Sequence, residues 1–267
     1  MSGRAIEAGR SVLSRAVAVV GAFDEAHREL TATEVAERAG LPLSTTHRLL
    51  AELVGHGLLR RRVDRYGIGH RLWSLGQLAP VQTGLRDVAA PFLQDIHTTT
   101  RATVHLAVRD GTSALYLDRV SGHTSLRIVS KPGSQLPLHA TGAGKVLLAH
   151  APADVRDRVL GDLPRMTRYT VTHAGRLRDQ LRRVREQGYA TTSEEMTLGM
   201  CSVAVPVVRG AGPGTPGGGT SPEVVAAVGV VVSTVGRSRP RLVAVLQVAA
   251  RGIGRQLDSA GPPTRWG

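Results

Sequence analysis

The spacing of apolar residues along the chain changes from a helical period to a strand period. Val12, Ala16, Val19 and Val20 recur at helical spacing, with Phe23 one turn further on. Apolar residues three or four positions apart line one face of a helix. The pattern therefore predicts a helix near the start of the chain.

The next two helices are predicted mainly by their end signals. Thr31 followed by Glu34 has the spacing of a capping box, in which each side chain accepts a hydrogen bond from the other residue's backbone N–H. This second helix is expected to stop at Gly40, because glycine readily takes the left-handed conformation found after helix ends.

Pro42 suits the first turn of a third helix, where its missing N–H has no helical partner. The third helix has an apolar face made of Leu49, Leu50 and Leu53.

A basic hairpin is predicted directly after the third helix. The segment 58–68 has the pattern of two short strands around an Asp64–Arg65 turn. Its arginines are Arg60, Arg61, Arg62 and Arg65. Three helices followed by a basic hairpin form a winged helix-turn-helix, which we assign to residues 10–70 after a flexible N-terminus of residues 1–9.

The remainder of the chain alternates between strand and helix patterns. Residues 71–79 predict a short linker helix broken at Pro80, and we place the linker at 71–84. Helices are predicted at 85–99, 141–148, 175–187 and 241–257, and strands at 104–108, 115–117, 126–128, 202–208 and 224–232. Asp110-Gly111 predicts a hairpin turn, and 210–222 predicts a mobile Gly/Pro-rich loop. We therefore expect an α/β domain over 85–258 and a flexible tail over 259–267.

Composition then restricts the class of protein. The 267 residues carry 34 Lys plus Arg against 21 Asp plus Glu, a net charge of +13, which favours a polyanionic partner. The single cysteine, Cys201, excludes an internal disulfide and a Cys-rich zinc module. No apolar run approaches the ~20 residues of a membrane span, and no signal peptide is evident. Aromatic residues make up 3%, too few for binding of single strands on stacked rings. A cytoplasmic, duplex-binding protein without membrane contact is the expectation.

The third helix has the properties of a helix that reads DNA bases. The major groove admits one helix, so such a helix needs one apolar face and a polar, hydrogen-bonding end. Its expected DNA-contacting residues are Ser44, Thr45, His47 and Arg48. An ordinary surface helix has the same pattern, but the basic hairpin beside it favours DNA binding. The hairpin arginines are expected to neutralise phosphates or enter the minor groove.

A glycine-rich segment near the middle of the chain resembles a phosphate-binding loop incompletely. A P-loop requires a first glycine and a final hydroxyl, and these positions hold His139 and Val146. The remaining Gly142-Ala143-Gly144-Lys145 can seat a small carboxylate on helix amides, or it can be a tight packing turn.

We find no set of residues that predicts catalysis, a metal site or a cofactor. Glu194 and Glu195 are adjacent, and neighbouring side chains on an extended segment point in opposite directions. Cys201 has no histidine nearby in the sequence, and the ten histidines lack the spacing of metal ligands. His97, His105, His123, His139 and His173 are expected to be structural or surface groups.

Several of these segments together resemble the IclR-type family of bacterial transcriptional regulators. They are 11–16, the helix-turn-helix at 34–50, the glycine-rich segment 136–145, Glu194-Glu195 with Gly199, and 204–207. The resemblance implies an α+β chain in which the winged helix-turn-helix is joined by the linker helix to a GAF-like effector-binding domain. It also implies a homodimer or dimer of dimers that binds a double-stranded DNA operator and a small organic effector.

The resemblance carries a candidate effector pocket onto this sequence. The pocket residues it implies are Ile128, Leu136, Gly142, Ala143, Thr192, Ser202, Gly229 and Val231. Ser202 stands where the family often has cysteine, and Gly229 and Val231 stand where it has small hydroxyl residues. These departures imply a pocket with fewer polar anchors. Thr46 occupies a position that is usually apolar, which implies a buried hydroxyl.

The resulting hypothesis is a sequence-specific, ligand-responsive regulator of transcription, with repression favoured over activation, and not an enzyme. Two alternatives stay open at this point. One is a small-molecule enzyme with a basic accessory domain, motivated by the segment Gly142–Lys145. The other is a nonspecific nucleoid protein, which would bind all duplexes equally.

Overall fold

A computed structural model of the chain describes residues 11–24, 27–77, 83–122, 130–210 and 222–259. The chain divides into two compact units, the first extending to Val81 and the second beginning at Gln82. The N-terminus 1–9, the strand 126–128, most of the loop 210–222 and most of the tail 259–267 lie outside the described residues.

The first unit is a three-helix domain with a small antiparallel sheet. Its elements are α1 (Val12–Val20), β1 (Glu29–Thr31), α2 (Ala32–Ala39), α3 (Leu43–Gly55), β2 (Leu59–Arg62), β3 (Arg65–Ile68) and α4 (His70–Gln77), with sheet order β1-β3-β2. Val35, Leu49 and Leu50 are at most 2% exposed and centre one apolar core. The predicted winged helix-turn-helix is confirmed, and β1 is a strand that the sequence pattern did not predict.

The end signals of α2 are confirmed in detail. Thr31 accepts a hydrogen bond from the Glu34 backbone N–H at 3.3 Å, and the Glu34 carboxylate accepts one from the Thr31 N–H at 2.7 Å. Gly40 takes the left-handed conformation, with φ of 63°. The Thr46 hydroxyl is fully buried and donates a hydrogen bond to the Pro42 carbonyl at 3.0 Å. This buried polar group therefore has a partner at the start of its own helix.

Two details of the first unit differ from the sequence predictions. Pro42 is the N-cap residue of α3 rather than part of its first turn. The hairpin turn is formed by Val63 and Asp64, while Arg65 lies in β3 opposite Arg62. Val63 carries the positive φ of 57° that the turn requires, a conformation that glycine or asparagine usually supplies.

The second unit is a six-stranded antiparallel sheet with helices on both faces. The helices are α5 (Thr83–Thr100), α6 (Gly142–Ala149), α7 (Ala153–Gly161), α8 (Ala174–Gln187) and α9 (Arg239–Ser259), and the strands are β4 (Thr103–Asp110), β5 (Ser113–Val120), β6 (Gln135–Pro137), β7 (Ala190–Ser193), β8 (Cys201–Arg209) and β9 (Glu223–Val232). The sheet order is β6-β5-β4-β9-β8-β7. The predicted α+β class is confirmed, and so is the hairpin after Asp110. Helix α7 and strands β6 and β7 were not predicted.

The two faces of this sheet carry side chains of different size. Helices α5 and α9 cover a face rich in large aliphatic residues: Val104, Leu106, Val203, Val205, Val228 and Val230. Helix α6 covers the other face, where Ala107, Ala114, Ala204 and Ala227 are small. Strand β4 is buried on both faces except at its last two residues. Small side chains on one face let α6 approach the sheet closely.

A glycine in α9 controls how closely that helix approaches the sheet. A Cβ added at Gly254 would collide with the backbone carbonyl oxygen of Val208 in β8, which cannot move aside as a side chain can. We expect Gly254→Ala to lower the free energy of unfolding by about 1–3 kcal/mol, the usual cost of overpacking. Calorimetric unfolding of the full chain measures this change. Gly161→Ala is the matched control, because nothing lies within 4 Å of the added atom, and it should change stability by less than 1 kcal/mol.

Candidate nucleic-acid interface and effector cavity

Helix α3 exposes the end that the sequence assigns to base contacts. Ser44, His47 and Arg48 are exposed and Thr45 is half-buried, while Leu49, Leu50 and Leu53 on the opposite side are buried in the core. Within the described residues, Arg48 makes no ion pair. The helix therefore presents a short polar tip with an available guanidinium.

The four wing arginines are all exposed, but their electrostatic surroundings differ. Arg60 pairs with Glu29 at 3.0 Å and Arg65 with Glu34 at 3.6 Å, so each has an acidic partner in β1 or α2. Arg61 lies over the Tyr66 ring at 5.7 Å. Arg62 has no acidic partner among the described residues. Because no carboxylate pairs with Arg61 or Arg62 in the described part of the chain, these two are the wing cations most available to an external anion, and the exposed pairs of Arg60 and Arg65 are weak enough to be exchanged.

The second unit contains a cavity between the sheet, the start of α6 and the segment 194–200, with a volume of about 560 Å³ when the space open to solvent is included. Of the eight predicted effector residues, Ile128 lies outside the described residues. The seven others all line this cavity: Leu136, Gly142, Ala143, Thr192, Ser202, Gly229 and Val231. The structure thus brings together residues from five separate elements that the sequence order keeps apart.

One wall of the cavity is polar and was missed by the sequence analysis. His105 is 2% exposed, its Nε2 lies 2.9 Å from the Ser130 hydroxyl, and its ring meets the Tyr116 ring edge-on with centroids 5.4 Å apart. His105 was assigned as a structural or surface group, yet it lines the cavity. The available signal was a histidine in the middle of an apolar strand.

A hydrogen-bond chain connects the sheet to the start of α6. The hydroxyl oxygens of Thr192 and Ser202 are 2.6 Å apart, and the Ser202 oxygen accepts from the Gly142 N–H at 3.2 Å. A Cβ on Gly142 would lie 2.5 Å from that oxygen, so glycine is needed for this contact. Seven side chains with hydroxyl or imidazole groups line the described part of the cavity: His105, Tyr116, Ser130, Thr141, Thr192, Thr197 and Ser202.

Lys145, at the end of the glycine-rich segment, is paired inside the protein and is not free to neighbour a bound carboxylate. The Lys145 ammonium is 1% exposed and lies 2.6 and 2.7 Å from the two carboxylate oxygens of Glu195. It also donates to the Gln180 side-chain oxygen at 2.7 Å. Its charge is therefore already neutralised inside the protein. None of the described residues that line the cavity carries a formal charge.

Burial controls the ionisation of the cavity wall. Burial lowers the pKa of His105 to about 4, and the positive charge of Arg119 acts in the same direction. Burial also raises the pKa of Tyr116 to about 12. Both groups are therefore neutral near pH 7 and can act as hydrogen-bonding groups without charge.

Two further classes of site are not found among the described residues. No helix there is long and apolar enough to cross a membrane. No group of three or more His, Cys, Asp or Glu side chains in those ranges is arranged to hold a metal ion.

Comparison with known proteins defines the class to which this arrangement belongs. Residues 12–63 match the IclR helix-turn-helix domain, and residues 78–255 match the bacterial transcriptional regulator IclR C-terminal domain. The chain is 35% identical to the transcriptional regulator BhcR of Paracoccus denitrificans over 68% of its length and 67% of the relative's. It is 31% identical to the acetate operon repressor of Salmonella typhimurium over 72% of each chain.

A solved structure extends the likeness to three dimensions. An IclR homologue of Microbacterium hydrocarbonoxydans complexed with 4-hydroxybenzoate superposes with a TM-score of 0.83 at 32% identity, covering 93% of this chain and 100% of that one. A winged helix-turn-helix joined to an α/β domain with a buried cavity is the architecture of a ligand-responsive regulator of transcription. The chain belongs to the IclR family of bacterial transcriptional regulators, which confirms the resemblance seen in the sequence.

The ionisation of His105 predicts a pH dependence of stability. Unfolded histidine has a pKa near 6.5 and folded His105 one of about 4, so the unfolded state binds more protons between these values. Stability is then lost as the pH falls through this interval. Between pH 7 and pH 5 the wild type should lose roughly 2 kcal/mol more unfolding free energy than His105→Gln. Calorimetry of both proteins at the two pH values measures the difference, and equal losses would contradict a buried neutral imidazole.

Proposed function

We propose that the chain is a cytoplasmic repressor that binds a double-stranded DNA operator as a homodimer or dimer of dimers, and that a small organic effector in the cavity alters operator binding. The observation that carries the DNA part is the exposed polar tip of α3 beside the arginine wing, with Arg48 and Arg62 unneutralised within the described residues. The repressor named among the relatives supports repression as the direction of control.

The two basic elements have different tasks in this proposal. Side chains at the N-terminal end of a helix in the major groove reach base edges and specify sequence, whereas cations on a wing contact phosphates and supply affinity. Arg48 can form a bidentate contact with a guanine. A two-fold dimer would read two half-sites one or more helical turns apart.

The chemistry of the cavity indicates the class of effector. Its walls combine apolar side chains such as Leu136 and Val203 with neutral hydrogen-bonding groups and the N-terminal turn of α6. The first turn of a helix favours a negative group, and the uncharged walls favour a small organic body. A small aromatic or aliphatic acid fits both requirements. The 4-hydroxybenzoate held by the solved relative makes that compound the first probe.

The proposed switch is a population shift between arrangements of the protein. The effector changes operator affinity only if it binds one arrangement more tightly than the other. A catalytic role is disfavoured by the wall chemistry, because His105 is held neutral by burial and the Lys145 amine is engaged by Glu195.

Substitution of two arginines distinguishes specific from nonspecific contacts. Arg48→Ala should reduce discrimination at one base pair of each half-site by about 1–3 kcal/mol, whereas Arg62→Ala should weaken all duplexes alike and reduce the salt slope by about one per protomer. The measurement is duplex binding at several salt concentrations, using a sequence selected from a random pool and a scrambled duplex. Arg158→Ala is the control, since Arg158 is exposed on α7 and pairs with Asp154. Equal affinity for selected and scrambled duplexes would favour the nucleoid protein instead.

Filling the cavity should separate effector response from DNA binding. Ala143 lines the cavity and is 6% exposed, so Ala143→Leu should occupy the space that an effector needs. We expect this variant to bind the operator as the wild type does and to lose the shift in melting temperature produced by an active organic acid. A panel that includes 4-hydroxybenzoate provides the probes. Ala153→Leu, at an exposed position of α7, is the matched control. If no acid in the panel alters melting temperature or operator affinity of the wild type, the effector class is wrong.

A further inference from the structure

The segment 194–200, which we call the strap, connects β7 to β8 and forms part of the cavity wall. Met196, Thr197 and Met200 line the cavity from this side, and Cys201 follows as the first residue of β8. No sequence pattern assigned a role to this segment beyond the paired acids at its start. In the structure, Glu194 makes hydrogen bonds within the strap and Glu195 pairs with Lys145 on α6.

The strap is closed by its own hydrogen bonds. The Glu194 N–H donates to the Met200 carbonyl at 2.7 Å, and the Glu194 carboxylate accepts from the Gly199 N–H at 2.8 Å. Glu194 also has a φ of 56°, an unfavourable conformation for a non-glycine residue. These contacts close the loop at its neck, so the strap can move as one piece.

A buried ion pair attaches the strap to α6. Glu195, 6% exposed, holds the Lys145 ammonium with both carboxylate oxygens. Lys145 follows Gly142 and Ala143 on α6 by less than one turn, and these two residues line the cavity. The ion pair therefore joins two walls of the same cavity directly behind its lining.

A second contact fixes the backbone of the strap at the same point. The hydroxyl of Thr170 donates to the Glu195 carbonyl at 2.7 Å, and the hydroxyl of Thr167 donates to the Glu194 carbonyl at 2.6 Å. The beginning of the strap is thus held from two sides, whereas its tip has a 54%-exposed Leu198. This distribution of contacts is that of a flap anchored near one end.

Energetics favour a positioning role for the ion pair over a stabilising one. Replacing a buried ion pair with apolar groups is often neutral for stability, whereas removing one partner leaves an uncompensated buried charge. The Lys145–Glu195 pair is therefore better explained by its effect on the position of the strap than by a contribution to the free energy of unfolding.

We propose that the Lys145–Glu195 pair is a positioning device that holds the strap closed over the cavity and so sets the shape of the effector site. Calling the cavity an effector site rests on the proposed function, but the attachment of the strap does not. The tip of the strap moves outward when the pair is broken, which loosens the neck of the strap, where Cys201 lies beside Ser193.

The single cysteine provides a direct measure of strap opening. Cys201 is half-buried and is the only thiol in the chain, and its sulfur lies 3.6 Å from the Ser193 hydroxyl in the β7–β8 pair at the neck of the strap. Its alkylation rate with iodoacetamide, a neutral reagent, is compared with the rate in urea-unfolded protein. We expect Glu195→Gln to accelerate alkylation of the folded protein at least tenfold relative to the wild type. Glu194→Gln is the matched control: it removes the adjacent charge yet keeps an oxygen that can accept from Gly199, and its rate should stay within twofold of the wild type.

A double variant keeps the test decisive if the single variant unfolds. Lys145→Met with Glu195→Gln removes both charges, so no uncompensated ion is left inside, yet the attachment is still absent. It should fold, as judged by circular dichroism, and should also show at least tenfold faster alkylation. Three results would overturn the proposal: wild-type rates in both folded variants, a wild-type rate equal to that of unfolded protein, or loss of the whole fold in both variants. The assay contains neither DNA nor effector, so it can succeed even if the proposed function fails.

Discussion

The constraint on which the second unit depends is the difference in side-chain size between the two faces of its sheet. Valine and leucine fill the face under α5 and α9, whereas alanine and glycine occupy much of the face under α6. Small residues allow the start of α6 to come within hydrogen-bond distance of Ser202 on β8. The same small residues leave unfilled space between α6 and the sheet, and this space forms part of the cavity. A tightly packed interior has few voids larger than a water molecule, so the cavity follows from the small residues on one face of the sheet.

Several polar side chains of the cavity wall are hydrogen-bonded to one another. The Ser130 hydroxyl lies within hydrogen-bond distance of His105, and the hydroxyls of Thr192 and Ser202 lie within hydrogen-bond distance of each other. Burying a polar group without a partner costs roughly 1–3 kcal/mol, so these pairs remove the penalty of a polar wall inside an apolar sheet. A ligand entering the cavity would exchange contacts with groups that are already oriented. Behind the cavity wall, the Glu195 carboxylate likewise neutralises the buried ammonium of Lys145.

The exposed arginines of the DNA-binding unit differ in whether an acidic residue lies beside them. Acidic residues of β1 and α2 lie against two wing arginines, while Arg48 and Arg62 have no such neighbour in the described part of the chain. Partial neutralisation keeps a dense arginine cluster from opposing the folding of its own small sheet. Exposed ion pairs of this kind are weak enough to be exchanged for phosphates. The wing can therefore be both stable in the free protein and available to a duplex.

Local signals in the sequence determined the helix-turn-helix and most of the elements of the second unit. The capping box at Thr31, the left-handed Gly40 and the apolar face of α3 involve residues close together in the chain, so local physics was sufficient. Seven pocket positions were reached through a family resemblance, not through such signals. His105, the burial of Lys145 and the role of Glu195 depend on residues 25 to 50 positions apart that meet only after the sheet has formed. A side chain's partner across that distance is set by strand order and by the approach of α6, and neither is encoded in any single segment.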